Sequence, residues 1–188
     1  MSTYRSPVLL TIADLEATPD DGNRYELIDG ELYVSTAPGA FHQSVLMNLG
    51  AILWHYLREN PIGKVYPGIG VIFDDHNAVI PDLLYASKGR LRDVLSGGRL
   101  TGAPEIAVEI LSPGNSNEKR DRHIKLNLYA ARGVDEYWIL DPENRSLEIY
   151  RRSAEGTLDL RENLRGDDPL TSGVLPGFSA RVDELFEQ

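Results

Sequence analysis

The run EIAVEIL at residues 105–111 carries a carboxylate inside an apolar stretch, and this feature constrains the fold more than any other. Such continuous hydrophobicity is typical of a strand that is buried on both faces of a sheet. Within that strand, an unpaired Glu109 would cost several kcal/mol in desolvation. The fold must therefore bring a cation or hydrogen-bond donors to Glu109.

The residues after this strand predict a crossover unit. Segment 112–134 supplies a loop, a polar first turn and a helix that ends at Gly133, and EYWILDP at 136–142 returns at once as a strand. The runs SLEIYRR at 146–152 and TLDLRENL at 157–164 predict two further strands. A strand, a helix and a second strand in succession predict a crossover within a mixed sheet.

A hairpin and a long helix are predicted before this unit. The segment RYELIDGELYVS has two alternating runs joined by Asp29-Gly30, a strong signal for a two-residue hairpin. The turn fixes a register that places Glu26 and Glu31 on one face. From Phe41 to Asn60, apolar residues recur at steps of three and four, which predicts an amphipathic helix packed against a sheet.

Short apolar runs follow that helix. Residues 64–66, residues 70–73 and the run AVIPDLLYAS at 78–87 predict a meander of strands. Tyr137 and Trp138 lie inside the apolar strand EYWIL and are expected in the core rather than at a base-stacking surface.

The composition predicts one ordinary globular domain over residues 1–188. With 188 residues, of which 41% are hydrophobic, the chain can bury a substantial core. The absence of cysteine excludes thiolate zinc sites, thiol catalysis and disulfide scaffolds. The apolar run 8–13 is too short for a signal-peptide core or a membrane span, so we expect a cytoplasmic protein without a membrane partner.

The formal charge of −10 argues against binding polyanions through the field of the whole molecule. Phosphate binding then requires local positive charge or bound metal ions. The densest basic cluster comprises Lys119, Arg120, Arg122 and Lys125, with Glu118 and Asp121 interspersed. A nucleic-acid substrate therefore depends on the position of this cluster.

Three ionisable residues have positions that packing does not explain. Asp82 follows Pro81 at the start of the strand LLYAS, Glu109 lies in the apolar strand, and Lys125 lies in the following helix. Two carboxylates on adjacent strands suit a hard ion such as Mg²⁺. A nearby lysine can orient the attacking water and neutralise charge on phosphorus. This set points to metal-assisted phosphodiester hydrolysis.

The arrangement of Asp82 in a PD dipeptide and Glu109 twenty-seven positions later resembles the PD-(D/E)xK nuclease superfamily. The superfamily's usual lysine position, two residues after the acid, holds Leu111, and Lys125 lies sixteen residues after Glu109 instead. More narrowly, the chain resembles the Uma family of restriction-endonuclease-like proteins. The motifs that carry this resemblance are YELIDGEL, the His42 position, PDLLY, VEILSP, DRHIKLNLYAARGVDEYWILDP and LRGDDPLTS.

The resemblance implies an α/β (mixed α+β) restriction-endonuclease-like core, a mixed central β-sheet with flanking helices, here with an extra N-terminal β-hairpin. It also implies that Asp82, Glu109 and Lys125 form the catalytic triad, with Asp82 and Glu109 as metal ligands. Further residues expected to line the site are Glu26, His42, Asp121, Tyr129 and Ser112. Asp121, Lys125 and Tyr129 step by four and so share one helical stripe.

Each assignment has a structural alternative. Lys125 can pair with Glu109 in a buried salt bridge without catalysis. Glu26 can be a hairpin carboxylate that faces solvent, and the same holds for Glu31, which adjoins the turn. His42 can be a helix-entry histidine, and Ser112 can begin the turn before Pro113.

The sequence therefore predicts an endonuclease dependent on Mg²⁺ or Mn²⁺ that hydrolyses DNA phosphodiester bonds. A homodimer is expected, because two sites related by a two-fold axis cut both strands most simply. Two alternatives stay open: a catalytically silent binding module on a nuclease scaffold, and a hydrolase of small phosphodiesters.

Overall fold

The computed structural model describes residues 8–112 and 118–187. The predicted loop over residues 113–117 lies outside this range. From residue 8 to residue 112 the elements are α1 (Ile12–Glu16), β1 (Arg24–Ile28), β2 (Glu31–Ser35), α2 (Ala40–Glu59), β3 (Gly63–Pro67), β4 (Val71–Asp74), β5 (Asn77–Val79), β6 (Leu83–Ser87), α3 (Lys88–Val94), β7 (Leu95–Ser96), β8 (Arg99–Leu100) and β9 (Ile106–Ile110).

From residue 118 to residue 187 the chain adds a π-helical segment and a second group of strands. They are the π-helical segment (Arg120–Lys125), α4 (Leu126–Arg132), β10 (Glu136–Asp141), β11 (Ser146–Arg152), β12 (Leu158–Arg165), β13 (Pro169–Thr171), β14 (Ser179–Arg181) and a 3₁₀ turn (Asp183–Phe186).

The central sheet has the strand order β12-β11-β10-β9-β6-β3. Strands β9 and β10 run parallel, with Ala107 opposite Tyr137 and Glu109 opposite Ile139, and the other neighbouring pairs are antiparallel. The π-helical segment and α4 make the crossover between β9 and β10. The predicted mixed sheet with a crossover unit is confirmed.

A second sheet has the order β2-β1-β5-β4-β8-β7 and contains the N-terminal hairpin. Its register is the predicted one, with Ile28 opposite Glu31. Asp29 and Gly30 both have positive φ, 51° and 74°, as a type I′ turn requires. The hairpin is therefore part of a full sheet that lies beside the central one.

The predicted single meander is wrong in one respect, because its strands divide between the two sheets. The run 78–87 is split, so that Asn77–Val79 joins the second sheet and Leu83–Ser87 joins the central sheet. Pro81 lies at the break, and a proline cannot donate a ladder hydrogen bond. Asp82 therefore lies where the chain passes from the second sheet to the central sheet.

Two hydrophobic clusters cover the two faces of the central sheet. Helix α2 packs on one face, where it contacts Val108 and Ile110 of β9, and α4 packs on the other, where it contacts Ala107 and Leu111. Because side chains alternate along a strand, Glu109 projects toward the α4 face. Helix α2 begins and ends within one residue of its predicted bounds, and Asn60 separates its last residue from Pro61.

Tyr137 and Trp138 are fully buried, as predicted. The segment Arg120–Lys125 is π-helical rather than α-helical, a feature the sequence did not indicate. Tyr137 Oη donates to the carbonyl oxygen of Asp121 at 2.9 Å within this segment.

Within the described residues, no helix is both long and apolar enough to cross a membrane.

Buried Glu136 ties the C-terminal region to the central sheet. Its carboxylate accepts hydrogen bonds from Trp138 Nε1 at 3.0 Å, Ser172 Oγ at 2.9 Å and the Gly173 N–H at 2.7 Å. Arg151 Nε donates a further bond at 3.2 Å. Four donors would therefore lose their acceptor if this carboxylate were removed.

We predict that Glu136→Ala lowers the free energy of unfolding by about 2–3 kcal/mol, because it leaves the indole N–H of Trp138, the hydroxyl of Ser172 and the N–H of Gly173 without their acceptor. Urea unfolding at neutral pH measures this loss. The matched control Glu155→Ala removes an exposed carboxylate and should change the free energy by less than about 0.5 kcal/mol. Equal effects in the two variants would contradict the anchoring role of Glu136.

Candidate active site

Asp82, which directly precedes β6, and Glu109, in β9, lie next to each other at the central sheet. Strands β6 and β9 are antiparallel, with Leu83 opposite Val108, and continuing this register by one residue places Asp82 opposite Glu109. Asp82 Oδ2 also accepts a hydrogen bond from the Ile110 N–H at 2.9 Å. The sheet register itself therefore brings the two carboxylates together.

Lys125 extends toward this pair from the π-helical segment. Its Nζ lies 3.0 Å from Glu109 Oε1 and 2.9 Å from Glu26 Oε1, and 3.9 Å from Asp121 Oδ1. The residue is only 1% exposed. One buried ammonium therefore serves three carboxylates.

Asp82 has two cationic or ionisable partners besides the Ile110 N–H. Arg24 NH1 lies 3.0 Å from Oδ1, and His42 Nε2 lies 3.0 Å from Oδ2. His42 is buried near the start of α2, and its Nδ1 has no hydrogen-bond partner in the described part of the chain.

An open cavity of about 370 Å³ joins these groups. Its walls include Asp82, Glu109 and Lys125, the predicted site residues Glu26, His42, Asp121 and Ser112, and the arginines Arg24 and Arg120. Tyr129 does not line the cavity, but its hydroxyl donates to Glu109 Oε1 at 2.8 Å from behind the carboxylate. Glu31 is exposed and accepts from Tyr33 at 3.1 Å outside the cavity.

Arg24 is the site residue that the sequence reasoning missed. The alternation of β1 contained the signal, since Arg24 and Glu26 are two residues apart and so share a face.

The residues of the basic cluster predicted near the site do not all line the cavity. Arg120 pairs with Asp121 at the cavity, whereas Arg122 pairs with Glu118, Asp141 and Glu148.

The position of Lys125 explains the departure at Leu111. Leu111 is buried and belongs to the hydrophobic cluster under α4. The π-helical segment supplies the cation from the opposite direction. The ammonium therefore reaches Glu109 from the crossover helix rather than from the strand.

The charges in the site are unevenly compensated. Burial raises the pKa of Glu109 well above its ordinary value; Lys125 opposes this rise, and the neighbouring carboxylates, Asp121 first, add to it. Burial also raises the pKa of Asp82, but the His42 hydrogen bond and charge lead the contributions that hold it below its ordinary value. The two carboxylates therefore differ in proton affinity.

Lys125 and Tyr129 keep their protons. Burial lowers the pKa of Lys125, but Glu109 and the other carboxylates raise it above its ordinary value. Burial and then Glu109 raise the pKa of Tyr129 well above its ordinary value. Lys125 is thus a fixed cation and not a proton acceptor, and Tyr129 is a hydrogen-bond donor.

The donor set fits a small hard cation only in part. Asp82 and Glu109 offer carboxylate oxygens, and Glu109 Oε2 has no hydrogen-bond partner among the described residues. Within residues 8–112 and 118–187, no three His, Cys, Asp or Glu side chains are arranged to hold a metal ion. Mg²⁺ uses one or two carboxylates and keeps several waters, so two acids are a sufficient protein contribution.

The fold and the paired acids with a lysine define the restriction-endonuclease-like class predicted from the sequence. The chain belongs to the Uma2 family, described as putative restriction endonucleases, whose family model matches residues 12–183.

A solved structure of a putative nuclease of the DUF820 family from Anabaena variabilis is similar to this fold. The TM-score is 0.77 and the sequence identity 19%, over 96% of this chain and 98% of that chain. At this identity the likeness concerns the fold alone. A comparison with curated proteins finds no match.

We predict that Glu109→Gln alters the pH dependence of stability in metal-free protein. Because the folded pKa of Glu109 lies above its ordinary value of 4.5, the folded state holds this proton more tightly than the unfolded chain. The contribution of Glu109 to stability is therefore full below about pH 4.5 and is lost as the pH rises through the folded pKa.

A neutral glutamine lacks this loss, so the stability of the variant relative to wild type should rise between pH 5 and pH 8. Urea unfolding in EDTA at several pH values measures the difference. Glu155→Gln, at an exposed position, is the control and should follow the wild-type profile. Parallel profiles for Glu109→Gln and wild type would show that Glu109 has no raised pKa.

Proposed function

We propose that this protein is a metal-dependent endonuclease that hydrolyses DNA phosphodiester bonds. The observation that carries the proposal is the convergence of Asp82, Glu109 and Lys125 at one open cavity. They come from the residue before β6, from β9 and from the crossover segment. Membership of the Uma2 family supports a nuclease-like activity.

In this proposal Asp82 and Glu109 hold Mg²⁺ or Mn²⁺. The ion would supply Lewis acidity toward a phosphate oxygen and lower the pKa of a bound water. Lys125 remains charged, so its part is to orient the attacking water and to stabilise negative charge on the phosphate oxygens. Both roles require an ammonium close to the carboxylates, as observed at 3.0 Å from Glu109.

The remaining cavity residues position this set. Tyr129 fixes Glu109 Oε1 through its hydroxyl, and Glu26 Oε1 is fixed by the Ile80 N–H at 2.7 Å. Asp121, paired with Arg120, completes the enclosure of Lys125. We assign His42 to the orientation of Asp82, and Ser112 to hydrogen bonding with substrate at the cavity wall.

Local charge makes an anionic substrate compatible with the net charge of −10. Four carboxylates and three cations line the cavity, so a divalent ion would turn the local balance positive. Attraction of a phosphate to this cavity then depends on the ion rather than on the molecular surface.

One observation favours a catalytically silent scaffold as the second candidate. Each cavity carboxylate already has a cation within 4 Å: Asp82 has Arg24, Glu26 and Glu109 have Lys125, and Asp121 has Arg120. These ion pairs are present without a metal, although Lys125 is shared between Glu26 and Glu109. A hydrolase of small phosphodiesters is a variant of the main proposal and is compatible with a cavity of about 370 Å³.

We predict that the purified protein nicks or linearises supercoiled plasmid DNA in Mg²⁺ or Mn²⁺, and that Asp82→Asn and Lys125→Ala lose at least about 100-fold of this rate, as expected when a metal ligand or a transition-state cation is removed. Agarose-gel time courses measure the rates.

Asp93→Asn and Lys64→Ala are the matched controls, because each removes a charge at an exposed position and should leave cleavage unchanged. Equal cutting by wild type, Asp82→Asn and Lys125→Ala would remove these residues from the mechanism. No cleavage of any DNA by wild type, together with no calorimetric binding of Mn²⁺, would support the silent scaffold.

We further propose a homodimer, which would present two sites to the two strands of a duplex. The hairpin strand β2 exposes Leu32 and Val34, and Val34 also lines the cavity. Sedimentation velocity at micromolar concentration should show a species of twice the chain mass, and a monomer at all concentrations would refute the dimer.

A further inference from the structure

Arg24 differs from the other cations of the cavity in its exposure. Its side chain is 32% exposed, whereas Lys125 is 2% and Arg120 13% exposed. Arg24 NH1 donates to Asp82 Oδ1, and the other guanidinium N–H groups donate to no described residue. Arg24 therefore has one contact to lose and further donors to offer.

Asp82 leaves little room for a second cation while Arg24 is bound. Its Oδ2 already accepts from the Ile110 N–H and contacts His42, so Arg24 occupies the other oxygen. A divalent ion that binds Asp82 would meet the guanidinium at Oδ1. Lys125 cannot yield in the same way, because three carboxylates enclose it.

The cavity wall near Arg24 also offers hydrogen-bond donors. Gly39, the N-cap residue of α2, and His42, in the first turn of this helix, line the same cavity as Arg24. The N–H groups of Ala40 and Phe41, in that turn, donate to no described residue. A guanidinium released from Asp82 therefore remains in a region that suits an anion, and its planar fork matches phosphate oxygens.

We propose that Arg24 is a substrate-binding residue that pairs with Asp82 in the metal-free protein and binds the substrate phosphate once Asp82 holds a divalent ion. This inference rests on the proposed function, because it assumes that Asp82 is a metal ligand. Arg24 then excludes a phosphate from the empty site and receives it in the occupied one.

Loss of the Arg24 guanidinium should strengthen the binding of a divalent ion. Arg24→Ala removes a competing cation, so Mn²⁺ should bind at least about threefold more tightly in calorimetric titrations without DNA. Arg24→Lys should restore affinity toward the wild-type value. Arg99→Ala, which removes an exposed arginine paired with Glu16, should match wild type. Unchanged or weaker Mn²⁺ binding by Arg24→Ala would overturn the competition, because a purely supporting role for Arg24 predicts that loss.

The wild-type chain gives an independent test by NMR. The Arg24 Nε–H resonance, assigned through Arg24→Lys, should shift when Mg²⁺ is added and shift again with dimethyl phosphate. Without Mg²⁺, dimethyl phosphate should leave it unchanged. A resonance that responds to neither ligand, or to the phosphate without Mg²⁺, would overturn the exchange.

These two measurements do not use DNA cleavage. A wild-type protein that cuts no DNA but shows both responses would refute the endonuclease proposal and retain the role of Arg24. Cleavage that depends on Asp82, with no effect of Arg24→Ala on Mn²⁺ affinity, would support the endonuclease proposal and refute the role of Arg24.

Discussion

The burial of one ammonium among three carboxylates is the interaction on which this structure depends. Lys125 connects Glu26 of the hairpin sheet, Glu109 of the central sheet and Asp121 of its own helical segment. Without that cation, Glu109 would lie uncompensated in an apolar strand, at a cost that few small domains can bear. The same contact therefore joins the two sheets and assembles the candidate site.

This coupling destabilises the fold of the metal-free protein. Burial raises the pKa of Glu109, and Lys125, which also contacts Glu26 and Asp121, does not offset the rise, so the ionised carboxylate has a deficit of stabilising charge. Such a deficit is destabilising in the metal-free protein and would be relieved by a cation. Sites that act on charged substrates commonly sacrifice stability in this way. The buried acids are thus better explained by binding than by folding.

Much of the fold was predictable because its signals are local. The Asp29-Gly30 turn fixed the hairpin register, and the helical periodicity from Phe41 fixed α2. The division of strands between two sheets was not predictable from the sequence, since it depends on long-range pairing after Pro81. Within the site, the buried acid Glu109 required a cation, but neither the π-helical segment nor the salt bridge from Arg24 to Asp82 has a local sequence signal strong enough to name it.

Anomalous diffraction from crystals soaked in Mn²⁺ tests the central claim most directly, because it locates the ion before any substrate is known. We predict one anomalous peak within bonding distance of an oxygen of Asp82 and an oxygen of Glu109, with Arg24 displaced from Asp82. A saturating soak that leaves this position empty, with Arg24 and Lys125 still paired to the two acids, would contradict it.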